Sequence, residues 1–373
     1  MNRWIAIWAS FAVVTLVFLA SSRADDKAQN NPTIEEIKRA WRTREEAVKS
    51  FSAAWKVTHT YAKGSLLTPD MSETINPQKL LAPTEDMTFD ARFDFKVAPK
   101  EQQKTRYQFH WQTFDPLTSK LNPLITIEVF DGKTNTILDN PESPQPISSV
   151  KPGGYSLSEK RLETRPLILA FRPSAMPLDD MNPNTLEIID EKAAFGNARC
   201  VVLKSKGSKW AFWVDPLQGN SVVRCFSQSK DGTPRVIIDI DWIEKSGVWI
   251  PKAWHISQFW LDGGLRYYTT TQEVDIALNP DFGVDDFELK FGPRTLIIDG
   301  HETGKAMKYS IITDDGQKKD VKVSDLRNDG VYQSTSKVTI YAIWTGIVAL
   351  LAVAACGFMA WRKGLLPFKG RAK

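Results

Sequence analysis

The chain has 373 residues, 42% of them apolar and 25% charged, which is enough material for one or two cores and too apolar for a disordered segment. Its formal net charge of +4 is modest, and Arg362, Lys363, Lys369, Arg371 and Lys373 near the end supply part of it, so the body is close to neutral and nucleic acid is not an expected partner. Thirteen tryptophans are the unusual feature.

The first residues pair Arg3 with an uncharged apolar run, Trp4 to Ala20, followed by Ser22-Arg23-Ala24 and two acids. That is the layout of a secretory signal peptide over residues 1–24, cut after Ala24; the alternative is an uncleaved anchor, since the run sits at the lower limit for crossing a bilayer. Thr33 with Glu36 forms a capping-box signature, and Ile34, Ile37, Trp41, Val48 and Phe51 recur at near-heptad spacing. The spacing predicts an amphipathic helix from about 33 to 51 whose apolar stripe packs on a core.

Strand patterns follow. Trp55, Val57, His59 and Tyr61 alternate with polar residues, as do Phe89, Ala91, Phe93, Phe95 and Val97, and then Tyr107, Phe109 and Trp111. Period two with a polar outer row predicts half-buried antiparallel strands. Residues 124–130 run into Asp131-Gly132, a hairpin signal, and out through 135–139. The Pro-, Ser- and Gly-rich stretch 140–154 reads as a long surface loop, and a short helix beginning near Pro166 is expected within 162–171.

Strands resume at 185–190, 198–205, 209–215, 221–228, 235–243, 248–260 and 265–278. Val236, Ile238, Ile240 and Trp242 share a face, as do Val248, Ile250, Trp254, Ile256 and Trp260, with a three-residue turn holding Gly247 in the left-handed conformation between them. Trp213, Trp249 and Phe259 fall on the other side. A sheet apolar on one whole row and aromatic in places on the other either has helices over both faces or keeps a concave face for a hydrophobic guest. Helical sequence outside the apolar termini is scarce, which makes full cover hard to supply.

Cys200 and Cys225 fall on the first and third strands of a meander, two spacings of about 4.8 Å apart, too far for a disulfide unless the strand order is not sequential. Residues 301–337 are polar, with a hairpin around Tyr309 to Ile312 and Asp314-Asp315-Gly316 ahead of a stalk. Val338 to Trp361 carries no charge and reaches about 36 Å as a helix, which predicts a transmembrane span. Arg362 and Lys363 follow it directly, so the tail 362–373 is expected in the cytoplasm and the body outside it.

Signals for chemistry are sparse. The four histidines, at 59, 110, 255 and 301, have no zinc spacing, and no nucleophile elbow, Walker loop or dinucleotide fingerprint occurs. Asp239 and Asp241 alternate with isoleucines as a solvated strand row, and Glu244 stands where a calcium loop needs glycine. No metal, cofactor or catalytic residue is expected, and the chain does not read as an enzyme; carboxylates meeting in space remain the route by which it would be one.

Three stretches carry a family likeness: Trp213-Val214-Asp215-Pro216, Gly247-Val248-Trp249-Ile250-Pro251, and Asn279-Pro280 with Phe287 and Phe291. Together they resemble the lipoprotein-carrier superfamily (LolA, LppX and the RseB N-terminal domain) over roughly 185–300, with the leading helix and early strands on the same plan. The motifs mark strand ends and turns, so they bear on fold more than on function. The resemblance implies a mostly β, α+β fold: a curved antiparallel sheet, an incomplete barrel closed by helices over an apolar cavity that takes acyl chains, here over 25–300.

The candidate lining is Phe93, Phe95, Tyr107, Phe109 and Trp111 in the first half, and Ile238, Ile240, Trp242, Trp254 and Ile256 in the second. Carriers of this superfamily are soluble or lipid-anchored, whereas Val338–Trp361 would tether this chain, which suits reception, local hand-over or sensing. The expected function is a membrane-anchored extracytoplasmic protein holding a lipid, a lipoprotein acyl chain or another hydrophobic ligand. The alternative is an envelope-sensing or scaffold protein using the same fold to contact a protein partner.

Overall fold

The computed structural model describes residues 31–65, 83–115, 118, 120–153, 156–177, 180–260, 262–300 and 307–322; the segments read as signal peptide, transmembrane helix and basic tail lie outside these. Among the described residues no helix is long and apolar enough to cross a membrane.

Helix α1 runs Ile34–Ala47. Its capping box forms as the sequence predicts: the Glu36 amide donates to Thr33 Oγ1 at 3.3 Å and the Thr33 amide donates to Glu36 Oε2 at 2.8 Å. The helix buries Ile37, Trp41 and Arg44. It stops short of the expected residue 51, because Val48 leaves helical geometry and Phe51 opens a strand. Asn279 fixes this end. Held at φ 52, it accepts the Lys49 amide at 2.7 Å and donates to the Ala47 carbonyl at 2.9 Å, tying the helix terminus to the last turn of the domain. Asn279→Ala is expected to cost about 1–2 kcal/mol in urea unfolding of the detergent-solubilised full chain. Asn279→Gly, which accepts the left-handed backbone but loses the side-chain bonds, should recover only part of that.

Two meanders make up the sheet. β1 (Phe51–Tyr61), β2 (Met87–Val97), β3 (Thr105–Asp115), β4 (Lys120–Phe130), β5 (Thr134–Asp139) and β6 (Ile147–Pro152) form the first. β7 (Leu186–Phe195), β8 (Ala198–Ser205), β9 (Trp210–Asp215), β10 (Ser221–Gln228), β11 (Pro234–Lys245), β12 (Val248–Phe259) and β13 (Leu265–Leu278) form the second. Antiparallel pairing of β1 with β13 fuses them. β14 (Leu296–Asp299) then adds parallel to β6, and the hairpin β15 (Lys308–Ile312) with β16 (Lys318–Val321) continues outward. The described strands thus make one sheet of sixteen with free edges at β7 and β16, so it does not close.

Two local expectations change. Stretch 140–154 is not wholly a loop: Ile147–Pro152 is a strand because β5 and β14 supply backbone partners on its two sides. The β11–β12 connection is a two-residue turn, with Ser246 at φ 53 and Gly247 at φ 76 between paired Lys245 and Val248. Positive φ at both positions is the turn that matches the twist of a hairpin.

Helix α2, Arg165–Phe171, starts with Pro166 in its first turn, where a missing amide hydrogen costs nothing, and every one of its residues is buried. Its surroundings establish the curvature. The Arg161 guanidinium lies 5.1 Å from the Phe109 ring centre on β3, and that of Arg165, four residues later, 4.1 Å from the Trp210 ring on β9. These strands are seven places apart in the sheet, about 34 Å if it were flat, a span that one turn and two side chains do not bridge. The sheet therefore wraps around α2. Helix α1 docks on the same side, its Trp41 indole donating to the Asn220 carbonyl at 2.8 Å.

The strand order β8-β9-β10 is sequential, and Cys200 and Cys225 are both buried free thiols. Phe212 pairs directly with Cys225 and with Leu203, which places Cys225 on the inner face and Cys200, three residues before Leu203, on the outer one. Burial pushes the Cys200 thiol up to about 11 and the Cys225 thiol up to about 12. Both behave as small apolar side chains.

Candidate functional site: the interior of the curved sheet

All ten residues singled out from sequence fall on the inner face. Phe93 and Phe95 on β2, Tyr107 and Phe109 on β3, Ile238 and Ile240 on β11, and Trp254 and Ile256 on β12 are buried members of one hydrophobic cluster, with Trp111 and Trp242 packed half-buried at its margins. Aromatic contacts connect the two halves through β1: Trp55 stacks on Phe93 with ring centres 5.1 Å apart and meets Trp254 edge-on at 5.5 Å. Trp55 and Trp254 stand on strands separated by β13, so their rings lean toward each other across it, as a concave surface requires.

The interior is occupied by the chain itself. Leu167, Ile168, Leu169, Ala170 and Phe171 of α2 are 0–1% exposed, and Phe171 meets the Phe51 ring at 4.9 Å. This revises the expectation that helical cover was too scarce: one seven-residue helix fills the concave face. Arginines frame it. Arg161 pairs with buried Glu128, Arg165 with Asp180 at 2.7 Å, and Arg172 donates to the Val48 carbonyl at 2.6 Å and to that of Lys49. The approach to α2 also carries two carboxyls held in poorly solvated positions: burial pushes Glu159 up to about 7, opposed by Arg172, and raises Glu163.

Sequence reasoning missed several residues here. Trp55 is visible as a strand residue, whereas Phe51 reads as the end of the helical stripe, and nothing local says that β1 is the central strand joining both meanders. His59, read as an ordinary strand histidine, is fully buried among Tyr61, Phe89, Trp111 and Tyr267, with ring centres 4.2–5.0 Å away. Burial, aided by Arg266, pushes its pKa down to about 3, so it is neutral at ordinary pH.

The surface clefts lie elsewhere. One of about 360 Å³ lies among Arg42, Glu45, Lys49, Lys100 and Arg172, and one of about 380 Å³ between α1 and Trp249. None of the ten residues lines either. Among the described residues no group of three or more histidine, cysteine or acidic side chains could hold a metal ion.

No protein-family model matches the chain, and no curated protein does. Among solved structures, the chain is similar to an outer membrane lipoprotein-sorting protein domain from Vibrio parahaemolyticus, at 12% identity and a TM-score of 0.37 over 68% of this chain and 97% of that one. It is similar to a LolA superfamily protein of Nitrosomonas europaea at 12% identity and a TM-score of 0.36, over 68% and 97% of the two chains. A DUF1329 family protein from Desulfovibrio piger is similar at 11% identity and a TM-score of 0.34, over 69% and 98%.

Proposed function

We propose that this chain is a binding protein, not a catalyst, that holds an apolar ligand such as a lipid or the acyl chains of a lipoprotein inside its curved sheet, with α2 giving way to the ligand. The observation that carries this reading is the pairing of a largely apolar inner face with a seven-residue helix as its main cover. Helices shorter than about 12 residues are marginal on their own, so α2 is helical only because of what it packs against. An acyl chain offers the sheet the same kind of surface, so the inner face stays covered in the exchange. The strand-end motifs at Asp215-Pro216, Gly247 and Asn279-Pro280 accompany this reading. On the same proposal, Val338–Trp361 anchors the chain and the sheet domain lies outside the cytoplasm, receiving or handing over its ligand next to the membrane.

The test is extraction of the full chain in mild detergent, followed by mass spectrometry of what remains bound after gel filtration. The expected result is close to one acyl-bearing molecule per chain. Lipid no more abundant than on an unrelated single-span protein treated identically would refute the reading.

A further inference from the structure

The inner face is apolar except along one line. β13 presents Tyr267, Thr269 and Thr271 on the face where its partners present Tyr61, His59 and Val57 from β1, and Ile256 from β12 lies opposite Thr269. The threonine hydroxyls are engaged: Thr271 donates to the Trp254 carbonyl at 2.8 Å, and Thr269 bonds His59 Nδ1 at 2.9 Å. Beside them, Trp55 Nε1, Trp254 Nε1 and His59 Nε2 are buried without a hydrogen-bond partner among the described residues, on side chains that are 0–3% exposed.

Three other tryptophans have partnered indoles. Trp41, Trp111 and Trp242 donate to the Asn220 carbonyl, the Tyr61 hydroxyl and the Val222 carbonyl. Partnered indoles are the rule for buried tryptophan, and a buried donor left alone is costly. Trp55 and Trp254 stand in ring contact with each other at the centre of the sheet. An indole N–H can only donate, so whatever satisfies the pair must bring an acceptor.

Resting on the ligand reading above, we propose that this line is the polar part of the ligand site and that it selects a neutral acyl carbonyl, an ester or amide, whose oxygen accepts from Trp55 and Trp254. A bare hydrocarbon leaves both donors unmet. A carboxylate would meet them but bring an uncompensated charge: among the described residues the arginines stacked on interior rings sit over Tyr107, Phe109, Phe51, Trp210, Trp242 and Tyr267, none of them over Trp55 or Trp254. His59, about 13 Å further along β1, extends the line with a neutral ring.

The experiment offers the full chain in detergent an equimolar mixture of methyl palmitate, heptadecane and palmitate at pH 8, and quantifies what is retained after gel filtration. The ester is expected to exceed both others roughly tenfold, the worth of one buried hydrogen bond. In the Trp55→Phe/Trp254→Phe double variant the ester-to-alkane ratio should fall to near one. Should the double variant fail to fold, each single variant should show an intermediate ratio. Ester and alkane retained equally by the native chain, or palmitate retained best, overturns this inference and leaves the ligand reading standing. A preference that survives both substitutions overturns the assignment to these indoles, and retention of none of the three removes both proposals.

Discussion

Phe171→Ala is expected to lower the unfolding free energy of the sheet domain by about 3–5 kcal/mol, the range for emptying a fully buried aromatic site. Phe171 is the last residue of α2, 0% exposed and packed on Phe51 at the first residue of β1. β1 is the strand through which both meanders meet. The loss is therefore more than one ring's contacts, because α2 has no other source of helicity than its burial. Leu217→Ala, at a residue 69% exposed in the β9–β10 connection, should shift the same urea transition by less than about 0.5 kcal/mol. Equal effects of the two substitutions would mean that α2 does not hold the core together.

Acid should weaken the native chain through His59. Its pKa is about 3 when folded against 6.5 when exposed, so below pH 6.5 the unfolded chain takes up a proton that the folded chain refuses. Stability is thus full above pH 6.5 and lost as pH falls toward 3; between pH 6.5 and 4 the loss amounts to about 3 kcal/mol at most. Glu159 opposes it. Its folded pKa, pushed up to about 7, lies above its unfolded one, so its contribution is present at low pH and lost as pH rises through about 7. Comparing the native chain with His59→Phe separates the two. The variant should be less stable at pH 7, since Thr269 loses its partner, but its stability should fall less steeply between pH 6.5 and 4. Parallel pH profiles would show that His59 is not the buried, neutral group described here.

Legibility in the sequence followed the range of the interactions that decide each element. β8, β10 and β13 occupy the predicted spans because their alternation is bounded by turn residues within the same stretch. Helix α1 was read too long because Val48 and Phe51 continue its apolar spacing, while what ends it is Asn279, more than two hundred residues away. Ile147–Pro152 has little strand character of its own and is held by β14, again from far along the chain. The inner face was legible residue by residue, since period two sorts large apolar side chains onto one side. Its polar line was not. Thr269 and Thr271 are ordinary strand formers, and an unpaired indole has no sequence signature, so both become visible only once β1, β13 and β12 lie side by side.

The interior and its cover are tied by one physical statement: α2 and an apolar ligand compete for the same concave surface. Hydrogen–deuterium exchange of the full chain with and without methyl palmitate addresses it directly. Amides of residues 167–171 should exchange markedly faster in the presence of ligand while those of β1 and β13 stay protected. Ligand bound with α2 equally or better protected would contradict that competition.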